Sequence, residues 1–219
     1  AIEGLPVEFR EAVVLRDMLA WRGLGLSFGH VAVNAAPAEL RRNALAGRII
    51  ERLELTGIPP RELQLEVTEG VFLGRGAENA ARAIRELHEF GVNIALDDFG
   101  TGFASLSHLR QFPVDTLKID RSFVSDVAYL SDDAAIVAAI VSLGRNLGMK
   151  VVAEGVETPA QAAALHMHGC EYGQGYLFWK ALPAEGGPDG VRNWQPIRHW
   201  EDVRTKRDSG AGGRDVAAA

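Results

Sequence analysis

Residues 93–124 read NIALDDFGTGFASLSHLRQFPVDTLKIDRSFV, and this stretch decides the fold. It opens on a strand pattern, Asn93–Asp97, and returns to one at Thr116–Asp120. Strand side chains alternate between faces, so Ile94 and Leu96 oppose Ala95 and Asp97, while Leu117 and Ile119 oppose Lys118 and Asp120. The same division recurs on either side. Val31 and Val33 oppose Ala32 and Asn34 within His30–Asn34; Leu63, Leu65 and Val67 oppose Gln64 and Glu66; Val151 and Ala153 oppose Val152 and Glu154 within Lys150–Glu154. With a weaker strand around Gly173–Tyr176 there are six, separated by segments of helical period, the pattern of a parallel α/β domain. Six is two short of a closed eight-stranded βα barrel.

Helix punctuation between the strands is legible. Thr158-Pro159-Ala160-Gln161 supplies an N-cap, a proline at the first helical position and a capping-box glutamine, and that helix stops at Gly169. Ser131 followed by Asp132 and Asp133 starts another, with Ile136, Ile140, Leu143 and Leu147 on one side and Gly148 after its end. A third is predicted over Glu78–Phe90, with Ala80, Ile84 and Leu87 at helical spacing and Gly91 as its stop. Earlier helices are predicted over Val7–Arg22 and Pro37–Leu53.

The chain has 219 residues, 47% of them apolar and 7% aromatic, with a mean hydropathy of zero. Such a composition buries a core and excludes a fully disordered chain. At roughly 150 residues per domain the length fits one domain with an appendage. No apolar run approaches the roughly 18 residues needed to span a bilayer. The net charge is −6 and no basic stripe exceeds Arg204, Lys206 and Arg207, which argues against an extended grip on duplex DNA or RNA. A small anionic ligand stays compatible if a cation or local donors receive it. Cys170 is the single cysteine, so no intrachain disulfide exists; it reads as a small buried hydrophobe in a reducing cytoplasm. The chain opens at Ala1 without an initiator methionine or a signal-peptide pattern, and the expectation is a piece of something longer. Residues 208–219, DSGAGGRDVAAA, are too poor in large apolar side chains to order themselves and are set apart from the fold as a disordered tail.

Five strands end with a polar or charged residue on the face opposite the large apolar ones: Asn34, Glu66, Asp97, Lys118 with Asp120, and Glu154. In a parallel barrel that face is the interior, and the C-terminal strand ends form the rim where active sites sit. Taken singly, Glu66 or Asp120 reads as a helix cap or a solvated loop residue, Asp97 and Asp98 as turn formers, Asn34 as a local cap and Lys118 as a solvated edge lysine. Recurrence over five strands favours a site. Carboxylates about 4 Å apart repel by around 4 kcal/mol at an effective dielectric near 20, so a converging Glu66, Asp97, Asp98 and Glu154 need neutralising. Oxygen ligands without cysteine or histidine at the strand ends point to Mg²⁺ or Mn²⁺ rather than Zn²⁺. Gly100-Thr101-Gly102 lacks the third glycine of a dinucleotide turn, Ser105 standing there, and follows two aspartates that would repel a pyrophosphate. Asp98-Phe99-Gly100 spells a kinase triplet without the other kinase motifs. His166 and His168, two apart on a helix, do not share a face. Tyr176, Phe178, Trp179 and Lys180 read as a cap on the barrel end, with a stacking surface as the alternative.

VAVN (31–34), LQLEVTE (63–69), the 93–124 run, VVAEGVET (151–158) and GCEYGQGYLF (169–178), in this order, closely resemble the EAL-domain phosphodiesterases that open the bacterial second messenger cyclic di-GMP. The resemblance covers about residues 8–183. It implies a modified TIM barrel that hydrolyses cyclic di-GMP to linear pGpG with two Mg²⁺ or Mn²⁺ ions. Asn34, Glu66 and Asp97 then resemble ligands of the first metal, with Asp97 and Asp98 serving the second. Lys118 and Glu154 resemble the groups that hold and activate the attacking water, Glu154 as general base. Glu69 resembles the anchor of the loop running on from Asp98, and Asp120, Glu157 and Gln174 resemble supporting or substrate-side positions. Ala35-Ala36 stands where the family often has a small residue and then serine.

The Glu-Ala-Leu motif that names the family is absent from the chain. With it go the first two strands, a metal-ligand glutamate and a substrate-phosphate arginine, so the expectation is an EAL domain over 1–186 lacking its first strands, an extension over 187–207, and poor hydrolysis by this chain alone. A non-catalytic module binding cyclic di-GMP or a protein partner is the alternative. The resemblance also implies a homodimer. It leaves room for an upstream sensor or cyclase domain, and for a membrane-anchored parent of which this is the cytoplasmic part.

Overall fold

The computed structural model describes residues 7–42, 44–102, 109, 112–129, 131–180 and 189. The predicted tail lies outside them, as does the predicted extension apart from residue 189. Thirteen helices and strands can be followed among the described residues. α1 is Val7–Gly23 and β1 is Val31–Asn34, followed by α2 Pro37–Leu40, α3 Leu45–Thr56, β2 Leu63–Thr68, α4 Ala77–Phe90 and β3 Asn93–Phe99. After these come β4 Thr116–Ile119, α5 Arg121–Ser125, α6 Ser131–Asn146, β5 Lys150–Ala153, α7 Pro159–Met167 and β6 Tyr172–Gly173.

The six strands form one sheet in the order β1-β2-β3-β4-β5-β6, every neighbouring pair parallel. Sequential parallel order with helical returns is the winding of a βα barrel, and this sheet is an open portion of one. Residues from all six strands line a single groove of about 290 Å³, so the sheet is curved. Its convex face is apolar: Leu63, Leu65, Val67, Ile94, Leu96, Leu117, Ile119, Val151 and Ala153 are all buried there. Helices cover that face, as the parity of the strands requires.

Local chemistry explains the helix ends. Thr158 accepts the Gln161 N–H, while Gln161 Oε1 accepts the Thr158 and Glu157 N–H groups, closing the predicted capping box on α7. Gly91, in the left-handed region, ends α4, where the Val92 N–H returns to Leu87 O. On α4 the predicted stripe Ala80, Ile84 and Leu87 is fully buried.

Two predicted helices need correction. The segment 37–53 is two helices, α2 and α3, with a turn between them in which the Arg41 guanidinium reaches Gly70 O and Leu73 O. On α6 the buried stripe is Val137, Ile140, Val141 and Gly144 rather than Ile136, Ile140, Leu143 and Leu147; Ile136 and Leu147 are exposed. The reason is Gly144. A Cβ there would overlap the Val151 side chain, so the helix approaches β5 along its glycine face. The sixth strand is also shorter and earlier than predicted, because Gly175 turns the chain against the Val156 backbone.

Candidate functional site

The concave face carries the polar half of each strand. Register sets Asn34 beside Glu66 across β1 and β2, and Lys118 beside Val152 across β4 and β5. Lys118 is only 5% exposed, which for an ammonium demands partners. It has three: Nζ lies 2.8 Å from Glu66 Oε1, 3.0 Å from Asp97 Oδ1 and 2.6 Å from Glu154 Oε1. Carboxylates from β2, β3 and the end of β5 therefore meet on one lysine of β4.

Asp98 reaches the same place by a departure from strand geometry. In a regular strand Asp97 and Asp98 face opposite sides of the sheet. Here the β3–β4 register shifts between Leu96 and Phe99, and Asp98 has φ of 54°, a left-handed conformation tolerated by aspartate. The result is that ligand oxygens of Asp97, Asp98 and Glu154 all lie within 4.8 Å of one another. The Asp98 N–H donates to Asp97 Oδ1 at 3.2 Å.

The loop after Asp98 is held from below. Glu69, buried at the start of the turn following β2, accepts the Gly100 N–H at Oε1. Gly102 passes so close to the same carboxylate that a Cβ would overlap Oε2. Asp120 serves as N-cap of α5, accepting the Ser122 N–H at 2.9 Å. Asp98, when protonated, donates to the Asp120 carboxylate, which favours the neutral form of Asp98 and the charged form of Asp120. The helix-cap reading of Asp120 is the one its hydrogen bond to Ser122 displays.

The charges of the cluster are unbalanced, four carboxylates against one ammonium. Burial pushes the Glu154 carboxyl up, Asp97 and Glu66 adding to it against the opposing pull of Lys118. Burial likewise raises Asp98, helped by Asp97 and Asp120. For Asp120 burial works in the same sense, but hydrogen bonds from Ser122 and Asp98 outweigh it and hold the carboxyl low. Burial opposes the charge on Lys118, yet the bonds to Glu154 and Glu66 prevail and raise its pKa well above the usual lysine range. Lys118 is a cation at any working pH.

Other predicted positions lie around this cluster. Asn34 is exposed at the end of β1 and joins the site by register. Gln174 is exposed just past β6; its backbone N–H donates to Ala153 O and its carbonyl accepts the Val156 N–H, which ties it to the strand end that carries Glu154. Glu157 is exposed, and its backbone N–H donates to Gln161 Oε1. Tyr176 and Trp179 are exposed, while Phe178 packs partly against the core. His30, Gln64, Asn93, Thr116 and Lys150 continue the groove below the cluster. Sequence reading did not single them out as a site, although the parity that selected Glu66 also selects Gln64.

An all-oxygen set of three carboxylates within reach of one point, with residual negative charge, suits a hard divalent cation.

The EAL domain family profile matches residues 7–181. The bifunctional diguanylate cyclase/cyclic di-GMP phosphodiesterase MucR of Pseudomonas aeruginosa is 42% identical over 185 residues, covering 83% of this chain and 27% of MucR. The chain thus spans about a quarter of that relative's length. The solved MucR phosphodiesterase, in complex with c-di-GMP, superposes with a TM-score of 0.75 at 41% identity, over 81% of this chain and 72% of the other. BlrP1 of Klebsiella pneumoniae, solved with manganese and cy-diGMP, gives a TM-score of 0.67 at 31% identity, over 81% of this chain and 46% of that one. A profile match over most of the residues, on a sheet whose polar strand ends converge as described, establishes that this chain belongs to the EAL domain family.

Proposed function

We propose that the chain is the metal-dependent part of a phosphodiesterase that opens cyclic di-GMP to linear pGpG. The observation that carries the reading is the convergence of Glu66, Asp97 and Glu154 on Lys118, with Asp98 turned into the same site. The named activity of MucR and the nucleotide bound in its solved phosphodiesterase support the choice of substrate. The solved complex of BlrP1 with manganese and cy-diGMP supports the choice of metal.

In this reading Asn34, Glu66, Asp97 and Asp98 hold two Mg²⁺ or Mn²⁺ ions. When bound, such a pair supplies Lewis-acid stabilisation of the attacking and leaving oxygens and acidifies water. The chain's own groups do the rest. Glu154, its carboxyl pushed up by burial, takes the proton of the attacking water. Lys118 fixes the Glu154 carboxylate through a 2.6 Å bond and offers positive charge to the phosphate oxygens. Asp120 steadies Asp98, and Glu69 steadies the loop beyond it. Gln174 and Glu157 lie on the substrate side. The water oxygen becomes bonded to phosphorus as one ring P–O bond breaks, and the departing sugar oxygen takes a proton.

In this proposal residues 1–186 are an EAL domain lacking its first strands, and the chain alone hydrolyses cyclic di-GMP poorly. The homodimer, the upstream sensor or cyclase domain and the cytoplasmic setting belong to the parent protein. Among the described residues no helix is long and apolar enough to cross a membrane.

The test is turnover of cyclic di-GMP by the purified chain with Mg²⁺ or Mn²⁺, beside Glu154→Ala and a metal-free control. Linear pGpG that disappears in both controls supports the reading. Nucleotide binding without product, in this chain and in the parent protein, assigns it instead to a non-catalytic module.

A further inference from the structure

Lys118 is saturated in this structure. Its three N–H donors meet three carboxylates, at 2.8 Å from Glu66, 3.0 Å from Asp97 and 2.6 Å from Glu154, and its side chain is 6% exposed. Two of those acids, Asp97 and Glu154, belong with Asp98 to the set whose oxygens come within 4.8 Å of one another. A divalent cation and the ammonium therefore draw on the same two side chains. Positive charge entering beside the ammonium either takes hydrogen bonds from it or sits close to it against repulsion, and both lower the gain from binding.

We infer that Lys118 is an internal counter-ion of this cluster, holding Glu66, Asp97 and Glu154 together and competing with a divalent cation for Asp97 and Glu154. The inference rests on the reading that this cluster takes a divalent metal, and it assigns Lys118 a role that precedes any nucleotide. Two consequences separate it from a role confined to the reacting phosphate. Without Lys118 the carboxylates repel one another unscreened, so the metal-free fold loosens. The metal, relieved of its competitor, binds more tightly.

The experiment is a nucleotide-free titration of Mn²⁺, followed by electron paramagnetic resonance, on the full chain and on Lys118→Met and Lys118→Arg, with thermal melts in EDTA and in Mn²⁺. Methionine keeps the length of the apolar stem and removes the charge. The expected result is that Lys118→Met melts below wild type in EDTA, regains stability in Mn²⁺, and binds Mn²⁺ about tenfold more tightly. Lys118→Arg, which keeps the charge, stays near the wild-type affinity. Wild-type or weaker Mn²⁺ binding by Lys118→Met, or an unchanged melt in EDTA, overturns the inference. Should Lys118→Met fail to fold in EDTA, recovery of the fold on adding Mn²⁺ supports it and failure to recover overturns it. Competition for Mn²⁺ in this chain, with no opening of cyclic di-GMP by the chain or by its parent protein, would sink the functional reading and leave this one standing.

Discussion

Glu69 Oε1 accepts the Gly100 N–H at 2.9 Å, linking the turn after β2 to the loop after β3 across a carboxylate that is 5% exposed. Two residues earlier the chain carries Asp98, at the end of β3, so Glu69 acts on the cluster without belonging to it. Groups that orient a metal's ligands are commonly worth 10–100-fold in affinity. Glu69→Ala is expected to weaken Mn²⁺ binding by about tenfold or more while leaving the circular dichroism of the sheet intact. Titration of both proteins with Mn²⁺ checks it; equal affinity would remove Glu69 from the positioning role.

The φ of 54° at Asp98 sets a second expectation, because backbone and carboxylate are separable there. Asp98→Gly suits the left-handed conformation and loses only the ligand, so stability in urea stays near wild type while Mn²⁺ affinity falls. Asp98→Val loses both, and strain of about 1–3 kcal/mol appears as a lower urea midpoint. Equal midpoints for the two variants would mean that the bulge does not constrain this residue.

Gly144 lets α6 lie against β5. A Cβ there would overlap Val151, so Gly144→Ala forces a shift of helix or strand and costs about 1–3 kcal/mol. The exposed Gly148→Ala is no control, since its φ is 74°. Gly47, on the exposed side of α3 with open space about it, is the better one. Thermal melts should show Gly144→Ala destabilised and Gly47→Ala unchanged or slightly stabilised.

Cys170 is buried, and burial pushes its thiol up to about 11. The folded chain keeps this proton to higher pH than the unfolded chain does. Stability therefore falls as pH rises from the ordinary thiol range toward about 11. Urea melts at pH 8 and pH 10 should show a loss that is smaller in Cys170→Ala. Thiol reagents at pH 8 should label the native protein far more slowly than the protein in urea; fast native labelling would contradict the burial.

The face assignments show how much of this was legible in the sequence. Alternation in NIALD, TLKID and VVAE was enough to put Asp97, Lys118 and Glu154 on the concave side, because one face of each strand is buried under helices and a strand offers two faces only. The capping box at Thr158–Gln161 was legible for a similar reason: its partners lie within one turn. Asp98 was different. Alternation assigns it to the opposite face from Asp97, and the bulge that reverses this is followed at once by Gly100, held by Glu69 from another part of the chain. The stripe on α6 was misread because side-chain hydrophobicity favours Ile136 and Leu147, whereas the closest approach to β5 occurs where a side chain is missing, at Gly144. The interior of the groove, Gln64 with Thr116 and Lys150, carries no local signal beyond parity.

The unbroken strand order has a kinetic consequence. Each neighbour in the sheet is also the next strand along the chain, so every added pairing requires one βα return to close. Glu66, Asp97, Lys118 and Glu154 ride on four successive returns, and no pair of them meets until the intervening unit has docked. Lys118 gains its third carboxylate only when the fifth strand arrives. A chain stalled on the way, with three or four strands in place, keeps a lysine whose partners are incomplete and a strand edge left unpaired until the fifth strand docks.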